Sequence, residues 1–191
     1  MKAHHVAQRL SAKAAEAGFE QNSEEFVGQL LRILVAMKPN GRYLELGTGM
    51  GAGLVWLLSG LGRDGRVVTI ELEAELQAIA HQELGADDRL TWVLDEGAAW
   101  LRTEVTDQAG TFDGVFADTW PGKYHDRDLA MRLVKPGGWY LVDDLYPQPG
   151  WPDGHQANVD ILIADLAEME SWTTEFLGAG SGVMLCIKQE I

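Results

Sequence analysis

Cys186 is the only cysteine in these 191 residues, so no disulfide can form within the chain. A stapled secreted scaffold is excluded, and a reducing compartment suits the composition. Long apolar runs are missing too: none approaches the roughly 18 residues of a membrane span. The opening Met1-Lys2-Ala3-His4-His5 lacks the apolar centre of a secretory leader. Basic residues are scarce, 15 Lys and Arg against 29 Asp and Glu, for a formal charge of −14. That field repels phosphate backbones and anionic membranes, so neither nucleic acid nor membrane is an expected partner. No repeat, low-complexity tract or linker breaks the chain. These absences predict a cytoplasmic protein with one domain over residues 1–191. With 46% hydrophobic and 23% charged residues, the composition itself is ordinary for a globular chain.

Periodicity supplies the elements. Residues 3–17 carry Val6, Leu10 and Ala14 on one helical face, and Gly18 is the expected stop. Ser23 is the expected N-cap of a second helix bearing Phe26, Leu30, Leu31, Leu34 and Val35, closed by Pro39-Asn40-Gly41. Strands are then expected at Arg42–Glu45, Arg66–Glu71, Arg89–Leu94, Thr111–Ala117 and Trp139–Val142. Helices are expected between them, at Met50–Leu61, Glu73–Leu84, Glu96–Asp107 and Asp126–Val134. Val159, Leu162, Ile163, Leu166 and Met169 mark a last helix, and Trp172–Leu177 and Gly182–Lys188 a closing strand pair. Alternating strands and helices predict an α/β fold with a parallel sheet covered on both faces. The last connection is too short for a crossover, so the final strand should run antiparallel. Residues 1–40 would form a helical cover on a core at 41–191. Trp56, Trp92, Trp100, Trp139 and Trp172 fall in these elements and are expected in or near the core.

Acids punctuate the strand ends. Glu45, Glu71, Asp95, Asp118 and Asp143 all close predicted strands. In an open α/β sheet those ends share one edge, where ligands bind. Converging carboxylates repel one another unless a cation or a hydroxyl-rich ligand relieves them. Some can instead be helix caps, Asp95 above all.

Glu45-Leu46-Gly47-Thr48-Gly49-Met50-Gly51-Ala52-Gly53 joins the first strand to its helix. Such glycines permit left-handed backbone and close approach of a ligand to the main chain. Gly47-x-Gly49-x-x-Ala52 satisfies the dinucleotide fingerprint, and Glu71 suits ribose hydroxyls in a nicotinamide or an adenosyl ligand alike. Glu45, just before the glycines, tips the choice: it repels a pyrophosphate and welcomes an ammonium. S-adenosylmethionine carries an α-amino group, a ribose, an adenine and a sulfonium. Glu45 near the amine, Glu71 at the ribose and Asp95 near the adenine would suit it. The expected contact set is Glu45, Gly47, Thr48, Gly49, Gly51, Glu71, Leu72, Asp95, Glu96 and Asp118.

From about Ser23 onward the chain resembles the class I S-adenosylmethionine-dependent methyltransferases, and among them the small-molecule O-methyltransferases of the catechol and caffeoyl-CoA type. Ser23-Glu24-Glu25-Phe26-Val27-Gly28-Gln29-Leu30-Leu31, Glu45-Leu46-Gly47-Thr48-Gly49, Phe112-Asp113-Gly114-Val115-Phe116-Ala117-Asp118 and Val134-Lys135-Pro136-Gly137-Gly138-Trp139 carry the likeness. It implies a Rossmann-like, doubly wound seven-stranded sheet of order 3-2-1-4-5-7-6 with strand 7 antiparallel. It also implies methyl transfer to an oxygen of a small-molecule acceptor, and a homodimer.

The relatives hold a divalent cation by an Asp after strand 4 and an Asp-Asn pair after strand 5. Asp118 and Asp143 match; Asp144 stands where Asn is expected. The three carboxylates make a hard-cation site for Mg²⁺ or another divalent ion. The alternative is metal-free, with Asp118 orienting a ligand. Catechol-type relatives place a catalytic Lys where this chain has Pro121. Lys123 reaches the same place if the turn is reshaped and is otherwise a surface lysine, and Tyr124 and His125 are the alternative bases. Trp120 and Trp151, the latter in the loop at 145–155 with Pro147, Pro149 and Pro152, are candidate walls, although Trp151 equally suits covering the last helix. Two rival functions stay open: a nicotinamide-dependent oxidoreductase, and a non-catalytic module that binds S-adenosylmethionine.

Overall fold

The computed structural model describes residues 3–19, 21–148 and 150–190, so Met1, Lys2, Glu20, Pro149 and Ile191 lie outside the described residues. Two helices, α1 (Ala3–Ala17) and α2 (Glu25–Ala36), precede the alternating core. The core runs β1 (Arg42–Leu46), α3 (Ala52–Gly60), β2 (Arg66–Glu71), α4 (Ala74–Leu84), β3 (Leu90–Leu94), α5 (Gly97–Gln108) and β4 (Phe112–Ala117). It continues through α6 (Trp120–Lys123), α7 (Arg127–Arg132), β5 (Val134–Val142), α8 (His155–Ala167), β6 (Trp172–Leu177) and β7 (Val183–Lys188). The strands form one seven-stranded sheet of order β3-β2-β1-β4-β5-β7-β6. Neighbours from β3 through β5 pair in parallel, and β7 runs antiparallel to both β5 and β6. The sheet is thus the Rossmann-like, doubly wound one that the resemblance implies, with the antiparallel closing strand that the short last connection requires.

Two apolar layers flank the sheet because successive strand residues point to opposite faces. Leu44, Leu46, Val115, Ala117, Tyr140 and Val142 pack on the side of α5, α7 and α8. Tyr43, Val67, Phe116, Trp139 and Leu141 pack on the side of α1, α2 and α3. Trp56, Trp100, Trp139 and Trp172 are buried, and Trp92 packs partly buried at the rim. Helix α3 is buried on nearly every side, which suits a sequence whose one hydroxyl, Ser59, bonds back to the Trp56 carbonyl. It can lie so close to α2 because Gly28 faces Trp56, where a Cβ would fall 2.2 Å from the indole. No helix among the described residues is long and apolar enough to cross a membrane.

Most boundaries shift by a residue or two from the sequence expectation, and three differences have a structural cause. Ser23 does not cap α2: Glu24 holds the N-cap position, and the Ser23 hydroxyl instead donates to Asp118 Oδ2 at 3.0 Å. Strand β5 begins at Val134 rather than Trp139, because Pro136-Gly137-Gly138 forms an irregularity within it, with Gly137 at φ 73°. Helix α7 consequently ends at Arg132.

Candidate active site

The β1–α3 loop is left-handed at Gly47 (φ 92°), Gly49 (φ 51°) and Gly51 (φ 92°), a backbone that side-chain-bearing residues rarely adopt. At Gly47 space is also lacking, since a Cβ would sit 2.7 Å from the Asp118 carbonyl oxygen. The Gly47 and Thr48 amides both donate to the Ile70 carbonyl, at 3.0 and 3.1 Å, which fastens the loop to the end of β2. Glu71 closes the turn from the other side. It accepts from the Gly49 amide at 2.7 Å and from the Leu72 and Glu73 amides at 2.9 Å each.

Glu45 is fully buried beneath this loop. Parallel register sets it opposite Thr69, whose hydroxyl donates to Glu45 Oε2 at 2.5 Å and lies 2.6 Å from the Thr48 hydroxyl. Its other oxygen, Oε1, has no partner among the described residues. Helix α3 crosses directly above, at Gly53, where a Cβ would lie 2.7 Å from Oε1. Burial pushes the Glu45 carboxyl well above its usual range, the Thr69 hydrogen bond opposes the rise, and Asp118 and Glu71 add to it.

A cleft of about 880 Å³ opens at the carboxyl ends of the strands. Gly47, Thr48, Gly49, Glu71, Leu72 and Asp118 of the expected contact set line it. Glu45, Gly51, Asp95 and Glu96 do not. Asp95 is exposed and accepts from the Glu96 amide at 2.8 Å. Glu96, not Asp95, caps α5, accepting from the Ala98 and Ala99 amides at 3.0 and 2.7 Å. Leu72, 59% exposed beside Glu71, offers the cleft an apolar face. The segment before α2 closes the same cleft with Phe19, Asn22 and Ser23.

Across the cleft lie Asp118, Lys123 and Asp144. Trp120-Pro121-Gly122-Lys123 folds as a type II turn, with Pro121 at φ −59°, ψ 129° and Gly122 at φ 89°, ψ −22°. The Tyr140 hydroxyl donates to the Gly122 carbonyl at 2.5 Å, and the Gly122 amide donates to the His125 carbonyl at 2.7 Å. This turn is the reshaping that carries Lys123 inward. Its ammonium lies 3.4 Å from Asp118 Oδ1 and 3.5 Å from Asp144 Oδ2, with the side chain only 5% exposed. Burial opposes the charge, but Asp118, Asp144 and Asp143 together outweigh it and hold the Lys123 pKa above its ordinary value. Burial in turn lifts the Asp118 carboxyl well above the usual range; Lys123 and Ser23 counter it, and Asp143 and Asp144 reinforce it.

Asp143 turns away from the cleft. It is buried, and its Oδ1 accepts from the Ser181 hydroxyl and from the Asp144 amide. Burial and the Asp144 charge push its carboxyl up to about 6, against the pull of Lys123 and the Ser181 hydrogen bond. Asp144 itself sits at φ 57°, the left-handed region that Asn and Asp tolerate best, and this turn directs it into the cleft. Among the described residues no three His, Cys, Asp or Glu side chains are grouped as a metal shell. Asp118, Lys123 and Asp144 meet as an ion-pair cluster, whereas Asp143 bonds through Oδ1 to the Ser181 hydroxyl and the Asp144 amide and keeps Oδ2 buried without a partner among the described residues. A divalent ion does not fit these positions while the ammonium stands between the two cleft-facing acids.

An aromatic wall completes this side. The His155 ring, buried at the start of α8, stacks on Trp120 with centroids 5.4 Å apart. Tyr124 and Trp151 meet the same imidazole edge-on, at 5.1 and 4.5 Å. Trp151 both lines the cleft and packs on the core below, so it serves both of its expected roles. His125 is exposed and belongs to an adjoining hollow of about 620 Å³, which shares Trp120, Lys123 and Tyr124 with the cleft. His155 and Ser181 have no distinguishing sequence pattern, and Ser23 reads from sequence as a helix cap; only the pairing of distant segments reveals their roles.

Comparison with known proteins places this geometry in context. A family described as a methyltransferase domain matches residues 44–145. A protein of Mycobacterium avium, named as a candidate O-methyltransferase, is 30% identical over 172 residues, covering 85% of this chain and 76% of its own. A similarly named protein of Mycobacterium sp. strain JLS is 31% identical over 201 residues, covering 96% of this chain and 90% of its own. Among solved structures, the O-methyltransferase TomG of Streptomyces achromogenes, involved in tomaymycin synthesis and solved with S-adenosylmethionine, superposes with a TM-score of 0.82. It is 24% identical, with 97% of this chain and 90% of that one covered. The Bacillus cereus O-methyltransferase solved with its demethylated cofactor product superposes with a TM-score of 0.81 at 20% identity, with 97% and 91% covered.

Proposed function

The chain belongs to the methyltransferase-domain family, and we propose that it transfers a methyl group from S-adenosylmethionine to an ionisable hydroxyl of a small molecule. The observation that carries this reading is the two-sided cleft: a left-handed glycine loop with Glu71 on one wall, and the Asp118–Lys123–Asp144 cluster on the other. When bound, the cofactor supplies an electrophilic methyl on a sulfonium. The residues present suit it. The glycine loop leaves the main chain bare, Glu71 offers carboxylate oxygens for ribose hydroxyls, and Leu72 offers an apolar face for the adenine. Glu45 acts through the loop, from beneath it, rather than by direct contact.

The acceptor hydroxyl is assigned to the side of Lys123 and the aromatic wall. An ammonium held by two acids cannot serve as a base near neutrality, since its pKa lies above the ordinary lysine value. Lys123 instead stabilises the oxyanion that forms on the acceptor. Asp118, whose carboxyl binds a proton more tightly than an ordinary Asp, takes the hydroxyl proton. Tyr124 is a poor alternative, because burial raises its phenol. Trp120, Tyr124, Trp151 and His155 offer flat faces for an aromatic or conjugated acceptor. Phe19, Asn22 and Ser23 before α2, with Trp120, Tyr124 and Trp151 from the loops after β4 and β5, act as the substrate cover.

The test is calorimetric titration with S-adenosylmethionine, followed by mass-spectrometric screening of phenolic and enolic acceptors. Binding with methylated product supports the proposal. Binding without turnover on any acceptor would favour a cofactor-binding module, and no binding would end the reading. A homodimer, which the resemblance implies, is checked by sedimentation of the same preparation.

A further inference from the structure

We propose that the Lys123 ammonium replaces the divalent cation of the catechol-type arrangement as a built-in cation. The carboxylates that would hold a metal are divided. Asp118 and Asp144 face the ammonium at 3.4 and 3.5 Å, whereas Asp143 Oδ1 is taken by the Ser181 hydroxyl and the Asp144 amide. A magnesium ion needs oxygens at about 2.1 Å in near-octahedral array. To bridge Asp118 and Asp144 it would have to enter the space where the ammonium lies, against like charge.

The lysine is built into this position. Pro121 and Gly122 set the type II turn, and a Cβ on Gly122 would meet Leu46 at 2.7 Å and the Tyr140 hydroxyl at 3.0 Å. The Tyr140 hydroxyl and the His125 carbonyl then fix the Gly122 peptide from both sides. The Lys123 side chain is 5% exposed, unlike a surface lysine that has strayed inward. Asp144, at φ 57°, is turned toward it. An ammonium has three N–H donors. Asp118 takes one at 3.4 Å and Asp144 faces a second as an ion-pair partner at 3.5 Å, which leaves the third for one acceptor oxygen. A metal ion can chelate two vicinal oxygens; this lysine offers a single donor. The site therefore favours an acceptor with one acidic hydroxyl over a vicinal diol. That last consequence rests on the methyl-transfer reading; the ion assignment does not.

Titration of the full-length protein with Mn²⁺, followed by calorimetry and by electron paramagnetic resonance of free Mn²⁺, tests the ion assignment without any turnover. Wild type should show no stoichiometric binding. Lys123→Ala should gain a one-to-one isotherm, since two carboxylates and water suffice for such an ion, and Lys123→Ala/Asp118→Asn should lose it. A wild-type one-site isotherm abolished by Asp118→Asn would overturn the proposal. So would a folded Lys123→Ala that binds no Mn²⁺. If Lys123→Ala does not fold, the wild-type titration decides alone: silence supports the built-in cation and a one-site isotherm refutes it. Failure of the methyl-transfer reading would appear separately, as absence of S-adenosylmethionine binding with the Mn²⁺ result intact.

Discussion

Lys123→Met deletes the ammonium and keeps most of the stem's volume, so its cost isolates the charge. The lysine is 5% exposed and its two acids are 12% and 40% exposed. Breaking a buried pair by removing one partner costs about 3–5 kcal/mol. Water solvates much of the Asp144 share, so the Asp118 contact sets the figure, and we expect about 2–4 kcal/mol near neutral pH. At about 2–4 °C per kcal/mol for a chain of this size, the melting temperature should fall by roughly 4–16 °C. The pH dependence identifies the cause. The raised Lys123 pKa contributes stability that is complete below its unfolded value and lost only as pH rises through the folded one. Asp118 and Asp143 have raised pKa values, so each costs stability above its unfolded value, and that cost fades as pH falls. Without the ammonium these acids take up protons more readily. The deficit of the variant should therefore shrink between about pH 7 and pH 5. Urea unfolding of both proteins across that range measures it. A deficit below about 1 kcal/mol at neutrality, or one that is constant with pH, would refute the cluster as an electrostatic unit.

Glu71→Ala removes the carboxylate that we assign to the ribose, a group worth about 1.5–3 kcal/mol, so S-adenosylmethionine affinity should drop roughly 10- to 150-fold by calorimetry; unchanged affinity would move the ribose elsewhere. Gly28→Ala should destabilise by about 1–3 kcal/mol although Ala is the better helix former, because its Cβ would meet Trp56 at 2.2 Å; a gain in denaturant midpoint would contradict that packing. Ser181→Ala withdraws a donor from Asp143, whose carboxyl already titrates at about 6, so it should raise that pKa further. Its stability loss, about 1.5–3 kcal/mol above that pH, should fade below it, and a loss equal at acid and neutral pH would argue against the assignment.

What is legible in the sequence follows from repeating local rules. Alternating strand and helix patterns, with a last connection too short for a crossover, lead to the parallel sheet and its antiparallel closing strand. Pairwise geometry could not be read that way. Ser23 has the residue type of an N-cap, yet its hydroxyl serves Asp118, ninety-five positions along the chain. Lys123 lies two residues from where a catechol-type lysine would be, and only the dihedral angles at Pro121 and Gly122 decide where it points. Strand β5 was read short because Pro136-Gly137-Gly138 looks like a stop, whereas β4 accommodates it through a register shift between Phe112 and Gly114.

The strand-end acids show where local rules and contacts divide. Strand parity already separates them, since residues two apart share a face. Tyr43 packs in the layer beneath α3, so Glu45, two positions on, must point there as well, and the Glu45–Thr69 register places a hydroxyl against it. A carboxyl forced into that layer has Gly53 above it because no larger residue fits, which explains a glycine inside a helix otherwise selected for apolar bulk. Beyond the last paired residue parity no longer applies. Asp118, Asp143 and Asp144 follow Ala117 and Val142, and there left-handed backbone at Asp144 and hydrogen bonds from Ser23 and Ser181 determine which acid meets the ammonium. The paired strands thus set Glu45 beneath α3 and Glu71 at the cleft wall, and the unpaired ends set which of Asp118, Asp143 and Asp144 face the cleft.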